Sequence, residues 1–469
     1  MKKIIILSFL LIILAGCQNS TNPANENRYE TENNVYIMSL YLDDANDTLS
    51  VVGELYYKND DYDLNDLYII IYPNAYKLGT SQYNTTFEYL RINGSDVAFD
   101  IGGDDDTALH ITLAQTLLKG QRISITYKYE FQYWDFDRIV AYDHYYLTMF
   151  FYPWVAMYDD EEWHVEPYTF HGESYYNEVG DYYVSLNVPS NYLVASGGKV
   201  VDEQNFWGRK IINFELQNAR DFSFSASSLY HVYQRIINGI NIKIYAVRDL
   251  TMQEIEDSFQ YLEDTMNTMT TYIGPYNYDH FTLEYGYFYG MESSGVIYCL
   301  NEILEGTVVH EVVHQWFYSM IGNDQANESF LDESLTTYAV SLYYYGLYGM
   351  EGYNGYLNYR TSLKPELAQK YQDNLGATLL RQVDEYGEDY AFLIYYHGPA
   401  MLRYFVEEFL GNDVEEMAAI LHTYFLEYNN EVVTLDAFLD LMERESEVAI
   451  TKEWFYLQLN ALQDFDNRP

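Results

Sequence analysis

The chain has 469 residues, with 71 Asp and Glu against 25 Lys and Arg, a formal net charge of −46. That length allows two or three domains and a large core. The charge excludes a nucleic-acid partner and repels anionic membrane surfaces, so any membrane attachment must use lipid.

The first element is a targeting segment. Lys2 and Lys3 precede an apolar run from Ile4 to Leu14, too short to span a bilayer as a mature helix. Leu14-Ala15-Gly16-Cys17 resembles a bacterial lipobox. That implies loss of residues 1–16, lipidation of Cys17 and a position on the extracellular face of the cell membrane. Residues 17–34, rich in Asn, Thr, Ser and Glu, read as a flexible tether.

Residues 35–245 read as a β domain. Val51 to Tyr57, Leu67 to Tyr72, Ile123 to Phe131 and Tyr182 to Val188 are rich in β-branched and aromatic residues, with Asn, Asp and Gly between them. No catalytic constellation emerges there. His164 and His171 flank acidic residues and are read as surface or hydrogen-bonded histidines. The 54 tyrosines find an account only in strand propensity and coverage of amphipathic surface.

From 246 to 469 the period turns helical. Met252, Ile255, Phe259, Leu262, Met266 and Met269 recur at three and four residues. Thr251 and Glu254 form a capping box, and Gly274-Pro275 stops the helix. Val296 to Leu300 reads as a buried strand, in which Cys299 is inert. Val308 to Met320 is apolar nearly all round, hence a buried helix, with Gly322 as its C-terminal cap. A second helix follows Asn327, with Leu331, Leu335, Tyr338, Ala339 and Leu342 on one face. Further helices are expected over 398–410 and 413–427, and a final one from about Thr434 to Glu443.

His310-Glu311-Val312-Val313-His314 lies in the first of these buried helices. Two histidines four apart on a helix point the same way and can grip one metal ion. Glu311 can reach a water on that metal without binding the metal itself. Unpartnered histidines in an apolar helix are costly, and a metal resolves that cost. Glu333, after an eighteen-residue gap, is the candidate third ligand. Three protein ligands leave one position open, as a catalytic zinc needs, and one zinc ion per chain is expected.

His310 to His314, the gap, and Glu333 inside Leu-Asp-Glu-Ser-Leu-Thr-Thr-Tyr resemble the gluzincin aminopeptidases of the aminopeptidase N and leukotriene hydrolase group. Gly290-Met291-Glu292-Ser293 resembles that family's G-x-M-E-N segment, Tyr395-Tyr396-His397-Gly398-Pro399-Ala400 its Y-x-K-G-A segment, and Gly274-Pro275-Tyr276 its G-x-Y-P. The resemblance implies an α+β multidomain fold. An N-terminal β-sandwich or saddle-like domain precedes a thermolysin-like, mainly helical catalytic domain with a small sheet. No sequence remains for the long helical C-terminal domain of larger members.

The resemblance also implies roles. Glu311 is the general base, and Tyr395 stabilises the oxyanion of the tetrahedral intermediate. Gly290, Met291 and Glu292 bind substrate, with Glu292 on its free α-amine. Ser293 and His397 depart from the family's asparagine and lysine. The second amine-binding residue is unmarked; Glu173 and the stretch Asp159 to Glu162 are candidates. The reading is a zinc aminopeptidase acting on peptides with a free N-terminus. A zinc endopeptidase or other zinc hydrolase, and an inactive surface-binding lipoprotein, are the alternatives.

Overall fold

Period-two alternation sets the first half of the molecule. In the strand Thr48–Lys58 every second residue is buried, so one face meets a core and the other meets solvent. The computed structural model describes residues 31–460, apart from 61, 77–83, 136, 160, 171, 362–372 and 374–376. The signal segment, Cys17, most of the tether, and His171 lie outside the described residues.

Thr48–Lys58 pairs antiparallel with Asn34–Asp43 and with Arg122–Gln132, and Asn34–Asp43 runs parallel to Gly180–Pro189. These four are the centre of an eight-stranded sheet. Two four-stranded sheets join it, one built around Leu64–Ile70 and Ala108–Leu117, the other around Tyr145–Thr148 and Phe224–Ser227. Val51, Leu55, Leu67, Ile69, Leu147 and Phe224, from all three sheets, share one apolar core. This is the expected β-sandwich. Many tyrosines go inside, while others such as Tyr142 and Tyr289 stay exposed: Tyr36 stacks on Tyr182 at 4.7 Å between ring centres, and Tyr152 meets both. A donated hydroxyl bond from Tyr152 to Tyr182 satisfies the polar tip, which is how tyrosine becomes a core residue.

The second domain opens on a five-stranded sheet. In spatial order its strands are His231–Ile237, Ile240–Ala246, His280–Gly286, Val296–Leu300 and Gly290–Ser293. The last is antiparallel to its neighbour and forms the edge. The first two strands, which span residues 231–246, pair with each other, and the second pairs with His280–Gly286, so they lie with the elements that follow them. A hairpin has the same alternation whichever sheet it joins, so its own sequence cannot assign it.

The helix Met252–Tyr272 begins at the expected capping box, with Glu254 N–H bonding Thr251 Oγ1 and Thr251 N–H bonding Glu254 Oε2 at 2.8 Å. It ends where Gly274 N–H bonds the carbonyl of Met269. Its buried face packs on the motif helix Glu305–Val313 and on Leu335–Thr361, which kinks at Gly349. Helices Gly398–Glu408, Val414–Tyr428 and Leu435–Ser446 follow as expected. One more, Thr451–Asn460, was not expected. Its apolar residues lie all round, with Phe455 and Leu459 buried and Leu457 exposed, so no clean period marks it.

Candidate metal centre

The motif helix is regular only to Val313. Beyond it the backbone widens: Ser319 N–H bonds the carbonyl of His314, and Ile321 N–H that of Trp316, each five residues back. Phe317 and Tyr318 leave helical geometry altogether. Such wide turns collect at functional sites. The expected continuous helix to Met320 with a Gly322 cap is therefore not formed. Gly322 instead bridges to Val432, and a Cβ there would lie 2.5 Å from the Arg220 guanidinium carbon. Glycine is needed at that point for close approach.

His310 and His314 do share a face. Their Nε2 atoms lie 3.1 Å apart, and Glu333 Oε2 lies 3.0 Å from the first and 3.3 Å from the second. A tetrahedral zinc with bonds near 2.0 Å separates its ligand atoms by roughly 3.3 Å. The donor set, its chemistry and its spacing therefore fit zinc. Asp332 Oδ1 lies 3.2 Å from His314 Nδ1, an ion-pair contact beside that ring, and the same nitrogen lies 3.4 Å from the Phe317 carbonyl. In the sequence Asp332 belongs to the Leu-Asp-Glu-Ser-Leu-Thr-Thr-Tyr segment, which gives it no role of its own.

Glu311 is buried beside this triad, with donor atoms of Glu292, Glu311 and His314 gathered within 4.8 Å. Gly290 makes that possible, because a Cβ at 290 would stand 2.5 Å from Glu311 Oε1. Burial pushes the Glu311 carboxyl well above its usual range, against the pull of His314, and Glu292 and Glu333 add to the rise. Burial also works to raise Glu333, but the two histidines outweigh it and hold that carboxyl well below the carboxylate range. Burial lowers His310. It opposes His314 too, yet Glu292, Glu333 and Asp332 raise that imidazole well above its ordinary value.

Tyr395 comes from the far side. Its hydroxyl donates to Glu333 Oε1 at 2.6 Å. The wide turn Leu393–His397 and the helix Gly398–Glu408 press against the Glu333 segment, where a Cβ on Gly398 would sit 2.0 Å from Ser334 Oγ. That contact explains why glycine follows the Tyr395-Tyr396-His397 signal. Tyr395 also lines an open cavity of about 510 Å³ with Phe170, Gly172, Gly387, Glu388, Tyr390 and Ala391.

Glu292 lies on the edge strand, buried, and its Oε1 accepts from Gln325 Nε2 at 3.3 Å, the same amide that donates to Asp332 at 2.9 Å. Met291 is buried beside it. Gln315, unmarked in the sequence, ties this strand to the motif helix: its amide donates to the carbonyl of Ser293 and accepts from Gly295 N–H. Ser293, where the family has asparagine, donates to Asp221 of the first domain.

Of the candidates for a second amine ligand, Glu173 comes to the site and Asp159 does not. Donor atoms of Glu173, Asp332 and Glu333 lie within 4.8 Å of one another. Asp159 is taken up by His164 and Tyr176, and Glu161 and Glu162 are exposed. His164 is hydrogen-bonded, as expected. Cys299 is buried in the strand Val296–Leu300, where burial pushes its thiol up, as an inert cysteine requires.

Residues 251–456 match the family model described as "Peptidase family M1 domain". No curated protein matches the chain by sequence. Among solved structures, a variant M1 zinc metallopeptidase from Deinococcus radiodurans bound to a Tyr-Ser-Ala substrate superposes with a TM-score of 0.69 at 14% identity, over 92% of this chain and 96% of that one. Yeast LTA4 hydrolase in complex with bestatin gives 0.68 at 14% identity, over 93% and 69%. Legionella pneumophila aminopeptidase A in complex with aspartic acid gives 0.66 at 13% identity, over 92% and 50%. At these identities the likeness establishes the fold, a β domain followed by a helical domain with a small sheet.

Proposed function

Because this chain carries a peptidase family M1 domain, we propose that it is a zinc-dependent aminopeptidase that removes N-terminal residues from peptides. The observation that carries this reading is the pairing of the His310–His314–Glu333 triad with two further buried carboxylates, Glu292 and Glu173, at its side. A metal accounts for the triad. Arg138 already pairs with Glu173 at 2.9 Å, and the α-ammonium group of a peptide supplies a cation that Glu292 and the second oxygen of Glu173 can share through charge-assisted hydrogen bonds.

His310, His314 and Glu333 would hold the zinc, one ion per chain, with Asp332 beside the His314 ring. A zinc ion held there acidifies water and polarises the scissile carbonyl. Glu311 accepts the proton of the attacking water and passes it to the leaving amine. Tyr395 donates its hydroxyl hydrogen toward the developing oxyanion, giving up its present bond to Glu333. Glu292 and Glu173 fix the amine end, so the scissile bond is counted from the N-terminus. The edge strand Gly290–Ser293 offers main-chain groups along which a peptide backbone can lie.

The test is a panel of peptides with free and acetylated N-termini, assayed with wild type and Glu311→Gln. The expected outcome is strong preference for the free amine, and a fall in kcat of about 10²–10⁴-fold in the variant with its zinc retained. Equal cleavage of acetylated and free peptides overturns the aminopeptidase reading, and undiminished turnover by Glu311→Gln overturns the mechanism.

The lipobox-like Leu14-Ala15-Gly16-Cys17 supports a lipid-anchored protein on the extracellular face of a bacterial membrane. Cys17→Ser is expected to abolish lipid labelling and membrane fractionation while leaving peptidase activity intact. Continued lipid labelling of that variant refutes the anchor.

A further inference from the structure

We propose that Arg138 is a positioning residue for amine capture: it commits one oxygen of Glu173 and leaves the other free for the substrate's α-ammonium. The inference rests on the aminopeptidase reading above and deepens it.

Arg138 belongs to the first domain and is 5% exposed. Its guanidinium is used on every side. One terminal nitrogen donates to Glu173 Oε1 at 2.9 Å and to the Gly172 carbonyl at 2.8 Å. The other donates to the Thr169 carbonyl, the Tyr168 hydroxyl and Asp137, each at 3.3 Å. The inner nitrogen lies 3.4 Å from the sulfur of Met291. This one side chain therefore ties together the residues that bring amine-facing carboxylates to the site: Tyr168, Thr169, Gly172 and Glu173 on one side and the edge strand with Glu292 on the other.

Glu173 Oε2, by contrast, is buried and has no hydrogen-bond partner. A buried carboxylate oxygen left unsatisfied is costly, and it persists in a resting site where a ligand supplies the missing donor. Its surroundings, Asp332 and Glu333, are acidic and cannot donate as carboxylates. Without Arg138, Glu173 would face those carboxylates with nothing to hold its rotamer. Lysine cannot replace the function, because a point charge cannot reach Glu173, Gly172 and Met291 together as a rigid fork does.

Arg138→Lys is expected to raise KM for free-amine peptides about tenfold, the effect of one misplaced charged hydrogen bond, with kcat and zinc content little changed. Because a lone Glu173 left in the interior can unfold the chain, the decisive pair is Glu173→Gln and the double variant Arg138→Met with Glu173→Gln. The double variant removes one charge of each sign and so leaves the net charge of the interior unchanged, while Asp137 keeps the hydroxyl bonds from Tyr76 and Tyr168. If Arg138 acts through Glu173, the two have the same KM and the same reduced preference for free over acetylated peptide. A further large rise in KM in the double variant, or full preference retained in Arg138→Lys, overturns the proposal. If wild type itself shows no preference for a free amine, the aminopeptidase reading has failed instead.

Discussion

At the scale of single residues, burial decides which groups are chemically special. Glu284 lies on the central strand of the small sheet, fully buried, with Tyr230 donating to it at 2.7 Å. Burial pushes its carboxyl up to about 8 from an ordinary 4.5, against the opposing Tyr230 hydrogen bond. The folded chain thus keeps a proton that the unfolded chain releases above about 4.5. This contribution to stability is full below pH 4.5 and is lost as pH rises toward 8, at roughly 1.4 kcal/mol per pH unit. Glu284→Gln removes that loss. Its melting temperature, compared with wild type from pH 5 to 8, should gain steadily on wild type as pH rises; parallel curves would show that Glu284 does not carry this dependence. The legible residues at this scale were those whose chemistry needs fixed spacing. Two histidines four apart on a helix must face one way, so His310 and His314 could be paired on paper. Asp332, Gln315 and Arg138 act through contacts made across the chain, and no local spacing announces them.

At the scale of elements, the site depends on close approach between segments. The Tyr395 turn reaches Glu333 only because Gly398 lies against Ser334. Gly398→Ala puts a methyl group 2.0 Å from Ser334 Oγ, so the two segments must part. The expected result is a fall in kcat of about 10²-fold from a displaced oxyanion donor, with zinc still bound. Unchanged kcat would show that the separation is absorbed elsewhere. The capping box at Thr251 and Glu254 was legible because every partner lies within three residues. The break at Phe317 and Tyr318 was not, since Trp316 to Met320 reads as uninterrupted helix until packing widens its turns.

At the scale of the whole molecule, the metal is expected to be part of the fold. Glu173, Glu292, Glu311, Asp332 and Glu333 are all buried around His310 and His314, and they come from both domains. Removing the cation leaves their mutual repulsion uncompensated. Chelation should lower the melting temperature by several degrees and abolish activity, and zinc should restore both, since a ligand present at about a thousand times its Kd adds ~4 kcal/mol. Metal analysis of the restored protein should find about one zinc per chain; an unchanged melt after metal removal would show that the site is structurally independent of its ion.

The sequence by itself determined what depends on neighbours within a turn or a strand: the two histidines and Glu311, the alternation of the β domain, the capped helix before Gly274. Through a family resemblance it also reached Glu292, Glu333 and Tyr395. Only the tertiary structure decided which sheet the strands of residues 231–246 join, that many tyrosines enter the core, that the motif helix ends at Val313, and that Glu173 rather than Asp159 meets the site. Those outcomes turn on which segments pack against which, and a one-dimensional pattern records the preference of each segment without naming its partner.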